Sequence, residues 1–312
     1  MIWLVGAGGM SVDYVKVLTS LKKEFTVIGR GVASAKDFEK KTGISVERGG
    51  LASFIKKSPD IPEAAIVSVG VDQLYNTTVE LLACGIKYIL VEKPGCLLSS
   101  ELEELRDFSL SKKAKIFIAY NRRFYSSVLE TQKLVEQDGG VTSFNFELTE
   151  WSHVIEKLDK KPEILFSWFL CNTTHVADLA FFLGGKPESI SCYTSGNLDW
   201  HPSSSIFSGA GVSSKGALFN YGANWESAGR WSVEILTKKN RYILRPMESL
   251  LIQKRGTIPQ IAVELDDELD KDFKPGLFKQ VDAFLNHDIV RLCSIDEQIS
   301  SFTTYKKIAG YK

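Results

Sequence analysis

Short apolar runs and amphipathic helical patterns alternate through the first third of the chain. Ile2–Val5, Phe25–Ile28, Ala64–Val69, Tyr88–Val91 and Lys115–Ala119 read as strands, with Ile44–Val46 as a further very short one. Between them lie helical patterns. Tyr14, Val15, Leu18 and Leu21 share one face of the first, and the second runs from Ser34, with Asp37 as capping partner, to Gly43. A third ends at Gly85, and Ser100-x-x-Glu103 reads as a capping box opening a fourth. Regular strand–helix alternation requires a parallel sheet, so residues 1–120 are expected to form an α/β, doubly wound Rossmann domain.

Past Tyr120 the pattern changes. Val141–Glu150, Ile190–Thr194, Gly216–Tyr221, Trp231–Leu236 and Arg241–Leu244 read as strands joined by Gly, Ser and Asn turns. Helical patterns at Ser127–Gln137, Thr173–Leu183 and Lys279–Leu285 lie before, among and after them. Strands grouped without alternation predict an α+β domain over 121–312 with a largely antiparallel open sheet. Its alternating strands, such as Trp231, Val233 and Ile235 against Ser232 and Glu234, leave one face able to pair with a second subunit.

Composition narrows the function classes. The 312 residues carry equal numbers of acidic and basic side chains, which argues against nucleic acid or an anionic membrane as an electrostatic partner. No apolar stretch is long enough to span a bilayer, and no signal peptide precedes Ile2. The five cysteines are scattered without Cys-x-x-Cys spacing and read as free thiols of a cytoplasmic protein. Four dispersed histidines give no metal signal.

The turn Gly6-Ala7-Gly8-Gly9-Met10-Ser11 joins the first strand to its helix. There Gly6 permits a tight turn, Gly8 lets a pyrophosphate approach the backbone, and the helix N-terminus offers free N–H groups to that anion. Ser11 stands where the third glycine of G-x-G-x-x-G would be, and it is small enough to substitute. The second strand ends in Gly29-Arg30-Gly31 with no acid to hold the ribose hydroxyls of NAD. Arg30, helped by Ser34 or Lys36, suits a 2′-phosphate, which favours NADP(H) over NAD(H); its alternative is stacking on the adenine of either cofactor. The fifth strand ends in Glu92-Lys93-Pro94, at the sheet edge where such folds bind ligands. An exposed pair terminating a strand is the plainer reading of those residues.

With these motifs in order, the chain resembles the Gfo/Idh/MocA oxidoreductases, the glucose–fructose oxidoreductase and inositol dehydrogenase group. The glycine turn, the run Cys84-Gly85-Ile86-Lys87-Tyr88-Ile89-Leu90-Val91-Glu92-Lys93-Pro94, and Tyr120-Asn121-Arg122-Arg123-Phe124 all look like family signatures. So do His175-Val176-Ala177-Asp178-Leu179, Leu183-Gly184-Gly185 and Lys274-Pro275-Gly276-Leu277. The resemblance implies hydride transfer between NAD(P) and a ring carbon of a sugar, cyclic polyol or nucleotide sugar. It implies that Lys93 binds the reacting hydroxyl and His175 moves its proton. It lays Gly6, Gly8, Gly9, Met10, Arg30, Gly70, Tyr75, Glu92 and Asn121 along the cofactor. Tyr120, Arg123, Trp168 and Asn172 join Lys93 and His175 about the substrate, and a homodimer or homotetramer is implied.

Two departures bear on the chemistry. Many members have an aspartate four residues before the histidine, where this chain has Cys171, and Gly70-Val71-Asp72-Gln73-Leu74-Tyr75 replaces a common Thr-Pro-Asn-x-x-His run. Rival readings are an NAD-dependent redox-neutral glycosidase, a reductase of non-sugar carbonyls and a non-catalytic NADP-binding sensor. Arg122 and Arg123 have a structural alternative, pairing with Glu147 or Glu150. His153 and His201, beside Trp151 and Trp200, are either sugar contacts or an aromatic surface cluster.

Overall fold

The computed structural model describes residues 1–311, which divide into two compact units. The first comprises Met1–Asn121 and Leu269–Ser300, the second Arg122–Glu268 and the C-terminal stretch from Ser301. The expected division into 1–120 and 121–312 lacked this return of the chain to the first unit. Its physical basis is visible within that unit: Cys293–Ser294 adds an antiparallel edge strand, and the helix Leu277–Leu285 packs on the first helix.

In the first unit, strands β1 (Ile2–Val5), β2 (Phe25–Gly29), β3 (Val46–Arg48), β4 (Ala64–Val67), β5 (Tyr88–Val91) and β6 (Lys115–Ile118) are mutually parallel. Their order is β3-β2-β1-β4-β5-β6, with Cys293–Ser294 beside β6. β1 and β5 are buried throughout, the reason they read as unbroken apolar runs. Val5 pairs with Ile28 and Val67, and Val67 with Val91, so these four strands end at one level. The order reverses between β1 and β4, and a doubly wound sheet opens its ligand crevice at such a switch point.

Helices α1 (Gly9–Ser20), α2 (Val32–Thr42), α3 (Gly50–Ile55), α4 (Leu74–Cys84) and α5 (Ser99–Ser111) complete the alternation. Two capping expectations need correction. α2 begins at Val32 behind Gly31, without a side-chain cap, and Ser34 instead donates to the Gly31 carbonyl at 3.1 Å. α5 begins at Ser99, and Glu101 rather than Glu103 reaches back, accepting the Leu98 N–H at 3.3 Å. The third strand is Val46–Arg48 rather than Ile44–Val46, because Val46 supplies the apolar contact and β2 the hydrogen bonds.

The second unit holds strands β7 (Ser143–Glu147), β8 (Pro187–Ser195), β9 (Ile206–Ser213), β10 (Leu218–Asn224), β11 (Ser232–Leu236), β12 (Asn240–Leu244), β13 (Leu251–Lys254) and β14 (Gln260–Ala262). They form one sheet in the order β14-β13-β12-β11-β7-β10-β9-β8, antiparallel except for β7 with β10. Phe144, Phe146, Phe219 and Tyr221 line its inner face, with Phe144 and Phe219 stacked at 5.1 Å and Phe146 and Tyr221 at 5.4 Å. The helix Thr174–Gly184 covers these rings through Phe181. At Gly184 a Cβ would lie 2.3 Å from the Phe144 ring, so the close approach of helix and sheet depends on glycine there. Asn145, Glu147, Asn220 and Glu234 line a shallow depression on the sheet. Among the described residues no helix is long and apolar enough to cross a membrane.

Candidate active site

The crevice at the switch point is a cleft of about 660 Å³. Gly6, Gly8, Gly9 and Met10 form its floor, Arg30 stands at the end of β2, Gly70 follows β4, and Glu92 and Lys93 follow β5. Seven of the nine residues expected along a cofactor therefore line one cleft, and Lys93 lines it with them.

The turn shows why its glycines differ. Gly6 has φ +129°, and a Cβ there would sit 2.1 Å from the Ser68 carbonyl oxygen, so the position excludes any side chain. A Cβ on Gly8 or Gly9 would meet no protein atom within 4 Å, so what a side chain would fill there is the cleft itself. α1 has no side-chain cap and no acid in its first turn. Its leading N–H groups and positive dipole end thus suit a phosphate. Ser11, fully buried, takes the place of a third glycine with its hydroxyl 3.5 Å from the Ser68 carbonyl.

At the other wall, the Glu92 N–H donates to Val67 O at 2.9 Å and the Gly95 N–H closes a turn on Glu92 O at 3.0 Å. Gln298 donates to Pro94 O at 2.9 Å, fixing the segment that presents Lys93. Tyr14 of α1 donates to Glu92 Oε1 at 2.7 Å. Burial pushes the Glu92 carboxyl above the ordinary carboxylate range, opposed by the Tyr14 hydrogen bond and then by the Lys93 and Lys274 charges. Burial, with the Glu92 charge next, raises the Tyr14 hydroxyl well above its usual value. The Arg30 Nη1 donates to Gln73 Oε1 at 3.1 Å, while the base of its side chain lies beside Gly50. Ser34 lines the cleft and Lys36 does not.

Tyr75 and Asn121 are not among the cleft's walls. The Tyr75 hydroxyl donates to Glu104, a bond that pushes it up to about 12, because α4 turns this face toward α5. The Asn121 amide donates to Pro275 O at 2.9 Å. With its amide oxygen turned toward the backbone, Gln280 accepts from the Tyr120 N–H at 3.2 Å and the Asn121 N–H at 3.1 Å, and Tyr120 is buried. Sequence reasoning missed Gly49, Gly50, Ser68, Gln73 and Thr77, which also line the cleft. The Gly49-Gly50 pair directly after a short strand was the available signal.

The remaining candidates lie in the second unit. His175 is 6% exposed on the helix Thr174–Gly184, its ring 6.4 Å from Trp231. A five-residue π turn, Phe169–Thr173, precedes that helix and holds Cys171, buried, and Asn172. Asn172 Nδ2 and Thr173 Oγ1 donate to the same Glu150 oxygen at 2.9 and 2.7 Å, and Arg230 reaches the other at 3.2 Å. Burial raises the Glu150 carboxyl against those three bonds.

Arg123, expected about the substrate, is 3% exposed and grips Asp178 through two bonds of 2.8 and 2.5 Å. The alternative pairing with Glu147 or Glu150 is corrected in its partner: Arg245 and Arg230 take those acids. Arg122 lies over Trp231 at 4.9 Å. Trp168 meets Trp200 edge-on at 6.3 Å, and Trp200 stacks on Trp225. His201 is fully buried against Trp225 with Ser204 O and the Tyr311 hydroxyl each at 2.6 Å. It is a core histidine rather than a sugar contact. His153 and Trp151 are exposed. No group of three His, Cys, Asp or Glu side chains is placed to hold a metal among the described residues.

No protein-family model and no curated protein matches the chain. Solved structures do. UDP-N-acetylglucosamine 3-dehydrogenase GnnA from Acidithiobacillus ferrooxidans superposes with TM-score 0.76 over 99% of this chain and 97% of its own, at 13% identity. Levoglucosan dehydrogenase in complex with NADH and L-sorbose gives TM-score 0.75 over 98% and 95%, at 15% identity. The WlbA dehydrogenase of Chromobacterium violaceum in complex with NADH and UDP-GlcNAcA gives TM-score 0.74 over 98% and 92%, at 15% identity. The chain shares its two-domain fold with these three dehydrogenases.

Proposed function

We propose that this chain is a nicotinamide-dependent oxidoreductase that transfers hydride to or from a ring carbon of a sugar, cyclic polyol or nucleotide sugar. What supports it most is the conjunction of an uncapped α1 N-terminus, a glycine floor open at Gly8 and Gly9, and Lys93 in the same cleft. Structures of like fold carry NADH, and their names concern sugars or nucleotide sugars. A bound nicotinamide supplies the hydride acceptor or donor. Gly6, Gly8, Gly9 and Met10 would receive the pyrophosphate, and Gly70 and Glu92 the far end of the cofactor. The place of Arg30 at the end of β2 favours NADP(H) over NAD(H).

The resemblance gives Lys93 the task of polarising the reacting oxygen and His175 that of moving its proton. A lysine lining the cleft beside a buried acid suits the first task. Tyr120, Asn121, Trp168 and Asn172 remain candidates for positioning. Arg123, gripping Asp178, is better suited to holding the His175 helix than to touching substrate. We place the protein in the cytoplasm as a homo-oligomer. The test is a screen of sugars, polyols and nucleotide sugars with NADP and NAD, with Lys93→Ala alongside. The variant should lose turnover and keep cofactor affinity; wild-type turnover in the variant would remove Lys93 from the chemistry.

A further inference from the structure

The second unit contains a cationic cluster that the reading above does not use. Arg122 and Arg230 both lie over the Trp231 ring, at 4.9 and 4.4 Å from its centroid, and Arg230 also lies over Trp151 at 4.7 Å. His175 adjoins the same indole. Arg230 has a carboxylate partner in Glu150. Arg122 has none: its guanidinium makes no side-chain hydrogen bond or ion pair among the described residues, burial opposes its charge, and Tyr125, then Glu248 and Glu150, favour that charge without a salt bridge. Its Nε and the Trp231 Nε1 are both buried donors without an acceptor.

Arg122 is half-buried, and a cationic group whose Nε is buried without an acceptor is costly, a cost that ring contacts recover only in part. Glu150 is engaged by Asn172, Thr173 and Arg230 and makes no ion pair with Arg122. With Glu150 ionised, the three groups still leave one positive charge in excess. Such a cluster lacks an anion with several acceptor oxygens, which arginine binds better than any other side chain.

We infer that the substrate carries an anionic group, a carboxylate or a phosphate, bound by Arg122 and Arg230 at Trp231, within a sugar's reach of His175. The inference rests on the dehydrogenase reading for its substrate and on the cluster alone for its charge. It makes Arg122 and Arg230 specificity determinants: the hydroxyls of neutral polyols accept hydrogen bonds but leave the excess positive charge uncompensated, so such polyols would bind more weakly.

The experiment is calorimetric titration of the NADPH-loaded chain with D-glucuronate, D-glucose 6-phosphate and D-glucose, in wild type, Arg122→Gln, Arg122→Lys and Arg230→Gln. At least one anionic probe should bind about tenfold or more tighter than glucose, a gap that Arg122→Gln and Arg230→Gln close and Arg122→Lys partly restores. Whichever of the first two probes holds the advantage decides between carboxylate and phosphate. Arg230 is 45% exposed, so its variant reports even if Arg122→Gln fails to fold. Equal affinity for glucose, no binding of any probe, or an unchanged gap in both glutamine variants overturns the inference. A gap that depends on the arginines, with no hydride transfer to or from any probe, leaves the anion site standing and sinks the dehydrogenase reading instead.

Discussion

The Tyr14 hydroxyl and the Glu92 carboxylate meet at 2.7 Å, tying the helix that opens the cleft to the strand end that presents Lys93. Removing the hydroxyl in Tyr14→Phe takes away one of the influences that lower the buried acid, so Glu92 should titrate higher still. The variant should lose about 1–2 kcal/mol of stability in urea unfolding at neutral pH. An unchanged midpoint would mean the bond contributes nothing measurable.

Burial raises Glu92 and Glu150, and this sets a sign for the pH dependence of stability. A group whose folded pKa exceeds its unfolded one stabilises fully below the unfolded value and loses that contribution as pH rises through the folded one. Unfolding midpoints should therefore fall as pH is raised from the ordinary carboxylate range through the weakly acidic one. Glu92→Gln and Glu150→Gln should each flatten that decline. A steeper decline in either variant would contradict the assigned direction.

Gly6 and Gly8 should respond to alanine in opposite ways. Gly6→Ala drives a Cβ into the Ser68 carbonyl at a backbone angle alanine avoids, and should cost more than about 1 kcal/mol, with poor soluble yield. Gly8→Ala meets no protein atom at an extended backbone. It should fold normally and weaken cofactor binding. Thermal melts with NADPH titrations separate the two effects.

Arg123 and Asp178 form a buried pair whose halves depend on each other. Arg123→Ala or Asp178→Ala should each cost about 3–5 kcal/mol, because the remaining charge stays buried unanswered. The double variant Arg123→Met with Asp178→Leu should lose less than the sum of the two single variants. Denaturant unfolding of the cycle provides the test.

The strands of the first sheet were legible because burial on both faces leaves continuous apolar runs, as in Ile2–Val5 and Tyr88–Val91. β13 and β14 were not: half or fully exposed edge residues such as Gln260, Ile261 and Ala262 show no inward face to alternate against. Cys293–Ser294 is too short to carry a pattern at all. Gly6, Gly8 and Lys93 were legible because a motif's spacing places them at strand ends. Tyr75 and Asn121 do not line the cleft, and their partners Glu104 and Pro275, 29 and 154 residues away, leave no local signal in the chain. The Arg123–Asp178 and Arg230–Glu150 pairs span 55 and 80 residues, and nothing local in the chain selects one acid over another.

The cofactor end of the cleft can be tested on its own. Arg30→Gln should lower the affinity for NADPH about tenfold or more while changing that for NADH little, since only the former offers a 2′-phosphate to the guanidinium. Equal losses for both cofactors would mean that Arg30 stacks on adenine.

The glycine-floored cleft is proposed to receive a nicotinamide dinucleotide. Fluorescence titration of the purified chain with NADPH and NADH tests it most directly. Binding should be saturable at one site per chain, tighter for NADPH and weakened by Gly8→Ala. Absence of saturable binding of either dinucleotide, with the chain folded, would contradict it.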